Sequence, residues 1–332
     1  MNASKPQDLT AGLPPEAPSL ADIEQAAARI RPHAHLTPVL TSSALNQRTG
    51  AQLFFKCENF QKVGAFKFRG AANAVFSLSD AEAGHGAATH SSGNHAQALA
   101  LAARLRGMPA HIVMPDNSPK VKVEAVKGYG GRILFCRPTQ EERERTLAEV
   151  VRETGAAFIH PYDNPRVIAG QATAARELLA EVQGLDLLLA PVGGGGLASG
   201  TALAARYLSP TTRVVAVEPA GADDAQRSLR EGRIVPSLNP RTVADGLRTS
   251  LGRLTFPILR ALLAEVVTVS EEGIVAAMRL VWERMKILIE PSAAVPVAAL
   301  LEGGLQVRGL RVGVILSGGN LDLDALPWLP PR

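Results

Sequence analysis

The stretch Leu187-Leu188-Leu189-Ala190-Pro191-Val192-Gly193-Gly194-Gly195-Gly196-Leu197-Ala198-Ser199-Gly200-Thr201-Ala202-Leu203 decides the fold. Its apolar first part reads as a buried strand, its last part from Leu197 reads as a helix, and four consecutive glycines join them. Glycine loses more conformational freedom on folding than any other residue, so four together do nothing for a core. At a strand-to-helix junction they offer bare backbone N–H groups and a helix N-terminus to one anion, which suits a phosphate. The spacing is neither G-x-G-x-x-G nor the loop ending in Gly-Lys-Ser/Thr, which argues against a dinucleotide and a nucleoside triphosphate. The stretch reads as a cup for a single phosphate; a mobile glycine hinge is the competing reading.

The same alternation continues on both sides. Strand-like residues 52–57, 87–90, 111–114 and 132–136 precede helix-like residues 65–78, 94–105, 120–129 and 141–154. Later, 214–218 precedes 223–231, and the apolar run 311–316 enters Ser317-Gly318-Gly319-Asn320. Repeated units with continuous apolar strands predict an α/β fold with parallel sheets covered by helices on both faces. Ser19 and Asp22 form a capping box for a first helix that Pro32 stops, and Ser270 caps a helix over 271–286. Residues 1–18, with four prolines and no periodicity, read as a disordered tail. No linker rich in Gly, Ser or Pro divides the rest, so two lobes interleaved in sequence are expected.

Composition bounds the function. A chain of 332 residues is too long for one small core. The net charge of +4 is spread thinly, with no basic block interleaved with aromatics, which argues against nucleic acid and suits small anionic substrates. No apolar run approaches the ~20 residues of a membrane helix, so no membrane partner is expected. Cys57 and Cys136 have neither pairing nor metal-ligand spacing, which points to a reducing compartment and a cytoplasmic protein.

Four constellations bear on chemistry. In Gly64-Ala65-Phe66-Lys67-Phe68-Arg69-Gly70, Lys67 stands between two aromatics where a helix begins. Apolar neighbours and a helix N-terminus disfavour its charged form, and a lysine with a depressed pKa forms Schiff bases with carbonyls. It also reads as a surface lysine with chance neighbours. Ser91-Ser92-Gly93-Asn94-His95 precedes an alanine-rich helix and could be only a cap, yet it carries more donors than a cap uses. The surplus suits a carboxylate, with one hydroxyl free for proton transfer. Ser317 follows an apolar strand, and ligands of open parallel sheets bind at strand carboxyl ends; a simple turn is the alternative. Glu218-Pro219-Ala220-Gly221-Ala222-Asp223-Asp224 could ligate a hard cation such as magnesium or calcium, or could be a solvated acidic loop. A phosphate cup, a Schiff-base lysine, a carboxylate loop and a strand-end hydroxyl are together the needs of a pyridoxal phosphate enzyme acting on an amino acid.

With Ala65 to Ala71, Ser91 to His95, Val167-Ile168-Ala169-Gly170-Gln171, Pro191 to Leu197 and Ser317 to Asn320 in this order, the chain resembles the serine/threonine dehydratase and serine racemase family, fold type II pyridoxal phosphate enzymes. The resemblance runs from Ser19 to about Trp328, and 218–224, Ala244-Asp245-Gly246 and 280–286 bring it close to serine racemase. It implies two interleaved lobes, a large cofactor-binding one of residues 19–75 and 164–332 and a small closing one of 76–163. It implies that Lys67 carries the cofactor as a Schiff base and that Ser92 is the second acid/base across the cofactor plane. Ser91, Ser92, Asn94 and His95 would hold the substrate carboxylate, and Asn94 would also touch the ring hydroxyl. Gly193, Gly194, Gly195, Gly196 and Leu197 would hold the phosphate, and Ser317 would meet the ring nitrogen. Glu218, the Ala222 carbonyl and Asp224 match the divalent-cation site of the eukaryotic racemase. Tyr162 stands where some members place an asparagine near the cofactor, and Arg143 aligns with a substrate-responsive arginine. The implied activity is dehydration of L-threonine and L-serine by a homodimer. Serine racemase with dehydratase side activity and 3-hydroxyaspartate dehydratase are the alternatives. A sulfhydrylase fits the acidic loop less well, and intact Lys67, Ser92 and Ser317 weigh against a non-catalytic binding protein.

Overall fold

The apolar runs become strands, and the computed structural model, which describes residues 9–329, contains ten among them. These are β1 (Val39–Leu40), β2 (Gln52–Cys57), β3 (Ala87–His90), β4 (Ala110–Pro115), β5 (Arg132–Cys136), β6 (Ala157–Phe158), β7 (Leu187–Pro191), β8 (Arg213–Pro219), β9 (Glu265–Val269) and β10 (Arg311–Leu316). A six-stranded sheet has the order β1-β2-β10-β7-β8-β9, and a four-stranded sheet has the order β5-β4-β3-β6. Every neighbouring pair is parallel except β1 with β2. Parallel strands are joined by crossovers that put helices on the sheet faces, which is why β4, β7 and most of β8 are buried without alternation. In the large sheet β10 lies between β2 and β7, with Val314 beside Phe55 on one side and Leu189 on the other. The loops after Cys57, Leu316 and Pro191 therefore leave the sheet side by side at one edge.

Small residues let the helices behind this edge approach closely. A Cβ on Gly170 would lie 2.6 Å from the Arg69 carbonyl oxygen, and one on Gly200 would lie 2.6 Å from the Ala172 nitrogen. Helices Lys67–Phe76, Pro165–Glu181 and Gly196–Leu208 are thus packed backbone to backbone. A buried ionic cluster ties the first two to β2. The Arg69 guanidinium meets Glu58 at 2.6 Å and Glu177 at 2.7 Å, and Lys56 Nζ also meets Glu177 at 2.7 Å.

Several elements follow the expected residues to within a position or two. The capping box of Ser19 and Asp22 is formed, and the helix after Ser270 covers Glu271–Met285, stopping at Lys286 because that residue turns left-handed. Strands β1, β6 and β9 and helices Ser43–Thr49, Asp80–His85, Pro165–Glu181, Thr255–Leu262 and Pro291–Leu301 were not expected. Residues 1–8 of the expected tail lie outside the described residues. Residues 9–18 differ from that expectation: Leu13 and Ala17 pack on the core, Arg206 donates to the Leu9 carbonyl, and Tyr207 Oη donates to that of Pro18. Apolar side chains that reach a core hold a segment without any periodicity of their own. Both cysteines are free and buried, and no described helix is long and apolar enough to cross a membrane.

Candidate active site

A cavity of about 1430 Å³ opens where the two sheets meet. Lys67, Ser91, Ser92, Asn94, His95, Gly193, Gly194, Gly195, Gly196, Leu197 and Ser317 all line it, as do Tyr162 and Arg143. Glu218, Ala222 and Asp224 are not among its walls.

Lys67 is the first residue of its helix, and main-chain pairing fixes where that helix starts. Phe66 N donates to the Ser317 carbonyl at 3.0 Å, Gly319 N donates to that of Gly64 at 2.9 Å, and Ala65 bridges Gly318. The lysine loop and the Ser317 loop are thereby zipped together beyond β10. Lys67 Nζ lies 5.2 Å from the Phe66 ring centroid and donates to the Pro161 carbonyl at 2.8 Å. Burial disfavours the ammonium and lowers its pKa to about 8, with the nearby Glu290 carboxylate working against the shift. A buried amine that is neutral in an appreciable fraction near neutral pH is a nucleophile for a carbonyl carbon.

The Ser91–His95 loop leaves the carboxyl end of β3 and opens helix Asn94–Arg106. Ser91 Oγ accepts from Gly93 N at 3.3 Å. Asn94 Nδ2 reaches both Glu290 oxygens at 3.1 Å, and Asn94 Oδ1 accepts from Asn320 Nδ2 at 3.0 Å. His95 is buried, and burial holds its pKa well below the usual value, so the ring is neutral. Its Nε2 sits 3.2 Å from the Ile159 carbonyl, which makes Nε2 the protonated nitrogen and leaves Nδ1 a buried acceptor with no partner among the described residues.

The glycine loop joins β7 to helix Gly196–Leu208. Side chains have no room there: a Cβ on Gly194 would collide with the Tyr162 ring, and one on Gly196 would come within 2.9 Å of Tyr162 Cβ. Among the described residues, the N–H groups of residues 193–197 donate to no protein acceptor. Unspent amides at a helix N-terminus fit a phosphate. With a buried lysine and Ser317 in the same cavity, the donor set fits pyridoxal phosphate.

Three residues that matter were not read from the sequence. Glu290 is buried in the cavity wall, and burial raises its pKa to about 7. Asp163 accepts from the amides of Arg253, Leu254 and Thr255, and Thr255 Oγ1 donates to the Gly194 carbonyl. Their only sequence signal is the Asp that follows Pro161-Tyr162 and the Glu-Pro that starts a helix, both common patterns without partners in view.

The acidic loop lies apart, at the end of β8. Glu218 accepts from the amides of Ala225 and Gln226, yet burial raises its pKa to about 8. Burial likewise raises Asp224 to about 6, and its Oδ2 has no hydrogen-bond partner among the described residues. No group of three or more His, Cys, Asp or Glu side chains able to hold a metal occurs among the described residues.

Residues 30–318 match the family described as pyridoxal-phosphate dependent enzyme. The chain is 53% identical to the beta-hydroxyaspartate dehydratase of Paracoccus denitrificans over 311 residues, covering 94% of this chain and 99% of that protein. It is 49% identical to human serine racemase over 319 residues, covering 94% of each. Its fold superposes on the crystal structure of serine racemase from Dictyostelium discoideum with a TM-score of 0.89 and 47% identity, covering 94% of this chain and all of that one. The chain belongs to the family of pyridoxal-phosphate dependent enzymes and uses pyridoxal 5'-phosphate as its cofactor.

Proposed function

We propose that this enzyme dehydrates β-hydroxy amino acids, converting L-threonine and L-serine to a 2-oxo acid and ammonia. The observation that carries the reading is the buried Lys67 amine sharing one cavity with a glycine loop of unspent amides and the Ser91–His95 donors. Bound there, pyridoxal phosphate supplies an aldehyde that condenses with amines and a ring that accepts the electron pair left when the Cα–H bond breaks. Lys67 would hold the cofactor and, as a free amine, would take the Cα proton at Nζ. The amides of Gly193, Gly194, Gly195, Gly196 and Leu197 would hold the phosphate, and Ser317 Oγ would meet the ring nitrogen. A hydroxyl there would keep the nitrogen unprotonated more readily than a carboxylate, a setting that would favour loss of the β-hydroxyl over transamination. Ser91 and the main-chain amides of Asn94 and His95 would orient the substrate carboxylate, since the one N–H of the neutral His95 ring is taken by the Ile159 carbonyl. Ser92 Oγ is the acid/base on the side away from Lys67, and the same hydroxyl would serve racemisation of serine.

Arg143 favours a second reading. Its side chain lines the cavity, makes no ion pair among the described residues, and carries a buried Nε without a partner. A free guanidinium in a substrate cavity suits a second carboxylate, so 3-hydroxyaspartate is the dicarboxylic candidate. We further propose that residues 76–163 move as a closing lobe, that the enzyme is a cytoplasmic homodimer, and that Glu218, Asp224 and the Ala222 carbonyl bind magnesium or calcium. The unpartnered Asp224 Oδ2 supports the cation.

One assay tests the activities and the cation site. Purified enzyme is given L-serine, L-threonine or L-threo-3-hydroxyaspartate, with magnesium or with EDTA, and 2-oxo acid and D-serine are followed together. The dehydratase reading expects 2-oxo acid with little D-serine; D-serine formed as fast as pyruvate would make racemisation the main activity. Loss of 3-hydroxyaspartate turnover in Arg143→Ala with serine turnover kept supports the dicarboxylate. If EDTA changes neither rate nor melting temperature, the cation site is abandoned.

A further inference from the structure

The peptide between Gly194 and Gly195 has two orientations open to it, and only one suits an anion. Flanked by glycines, with Gly195 at φ +92°, it can turn over at little steric cost. In one orientation the Gly195 N–H faces the cavity; in the other the Gly194 carbonyl would face it and repel a phosphate. Something outside the loop has to choose.

Thr255 Oγ1 donates to the Gly194 carbonyl at 2.8 Å and accepts from Gly252 N at 2.8 Å. Thr255 is buried and does not line the cavity, so it lies behind the loop. In a planar trans peptide the carbonyl and the N–H point in opposite directions. A carbonyl held back on Thr255 therefore sends the Gly195 N–H forward into the cavity. Thr255 is itself clamped, because Asp163 Oδ1 accepts from its amide at 3.2 Å and from Leu254 N at 2.8 Å, while Oδ2 accepts from Arg253 N at 3.0 Å. Asp163 belongs to a short segment that reaches the other end of the site. The ring of the adjacent Tyr162 fills the space beside Gly194, and the Pro161 carbonyl takes the Lys67 hydrogen bond. His160 Nδ1 accepts from the Tyr162 and Asp163 amides at 3.3 and 2.8 Å, which fixes the turn.

We propose that Thr255 and Asp163 are positioning residues for the phosphate cup: Thr255 locks the Gly194–Gly195 peptide with its N–H toward the phosphate, and Asp163 holds Thr255 in place. The proposal rests on the reading of residues 193–197 as that cup. It makes affinity for the phosphate group, rather than for the pyridine ring or the lysine bond, depend on a hydroxyl that touches neither.

The test compares pyridoxal phosphate with pyridoxal, which lacks the phosphate. Dissociation constants for both are measured by absorbance on the full chain after cofactor removal, for wild type, Thr255→Val, Thr255→Ser and Asp163→Ala, with circular dichroism to show that each is folded. The hydrogen bond orients a donor to a charged group, so Thr255→Val should weaken pyridoxal phosphate binding about tenfold to a hundredfold. Pyridoxal binding should stay unchanged, Thr255→Ser should restore the phosphate preference, and Asp163→Ala should reduce it. Equal weakening of both ligands in Thr255→Val, or a preference that survives it, overturns the proposal; if that variant does not fold, Thr255→Ala carries the same comparison. A wild-type chain with no preference for the phosphorylated form would instead mean that the cup reading has failed.

Discussion

Lys67 is held where burial disfavours its ammonium, and this sets the pH at which it reacts. Burial lowers its pKa from the usual 10.5 to about 8. Only the neutral amine adds to an aldehyde, so capture of pyridoxal phosphate by the cofactor-free chain should accelerate as pH rises through about 8 and level off above. Glu290 acts on this midpoint with a definite sign. Its carboxylate, raised by burial to about 7, is ionised at pH 8 and favours the ammonium. Glu290→Gln removes that charge, so the midpoint should move down. Stopped-flow absorbance across pH 6 to 11 reads both effects, and a wild-type midpoint near 10.5 would sink the argument. Lys67 was legible in the sequence because aromatic neighbours and a helix start are local. Glu290 was not, because the group it touches, Asn94, lies 196 positions away.

The helix that begins with Lys67 is held by charge as well as by packing. Arg69, two residues on, gives its guanidinium to Glu58 and Glu177 and bonds Thr173, all with no exposure of its own. Removing it would leave the Glu58 carboxylate buried with Thr37 as its remaining side-chain partner. Breaking one side of a buried pair costs about 3–5 kcal/mol, a large part of the roughly 5–15 kcal/mol that holds a domain folded. Arg69→Met should therefore lower the unfolding free energy in urea by about that much. Adding Glu58→Gln should recover part of it, because the stranded charge is then gone; a loss under about 1 kcal/mol would show that packing alone fixes the helix. Elements of this kind were only half visible in the sequence. Continuous apolar runs ending in glycine or serine announce β7 and β10 plainly. The two-residue β1 and β6 are too short for any period, and helix Pro291–Leu301, apolar all round with Pro296 inside, carries no helical stripe. Within this cluster Arg69 and Glu177 lie 108 positions apart, so its parts read as scattered charges.

At the scale of the molecule, the two sheets meet across the cavity, and two polar contacts there join residues that follow β3 and β4 to the large-sheet side. Asn94, after β3, bonds Glu290 and Asn320, which belong with β10 and the helix beside it. Lys122, on helix Lys120–Gly128 after β4, pairs with Asp245 at 2.6 Å, and both line the cavity. The second contact is half exposed, with side-chain exposures of 33% and 47%. Such pairs contribute about 0–1 kcal/mol, enough to bias the proposed closure over a substrate and too little to prevent opening. Water must be kept from the reacting Cα, and product must leave, so a weak latch suits both requirements. Asp245→Asn should then shift the balance toward the open form and raise KM for the amino acid up to about fivefold. The melting temperature should stay nearly unchanged, because the pair contributes little to the cores of either sheet. Salt provides the internal control: a half-exposed pair is screened as ionic strength rises. The wild-type KM should climb toward that of the variant at high salt, while the variant responds less. Parallel salt responses in the two proteins would remove Lys122 and Asp245 from any account of closure.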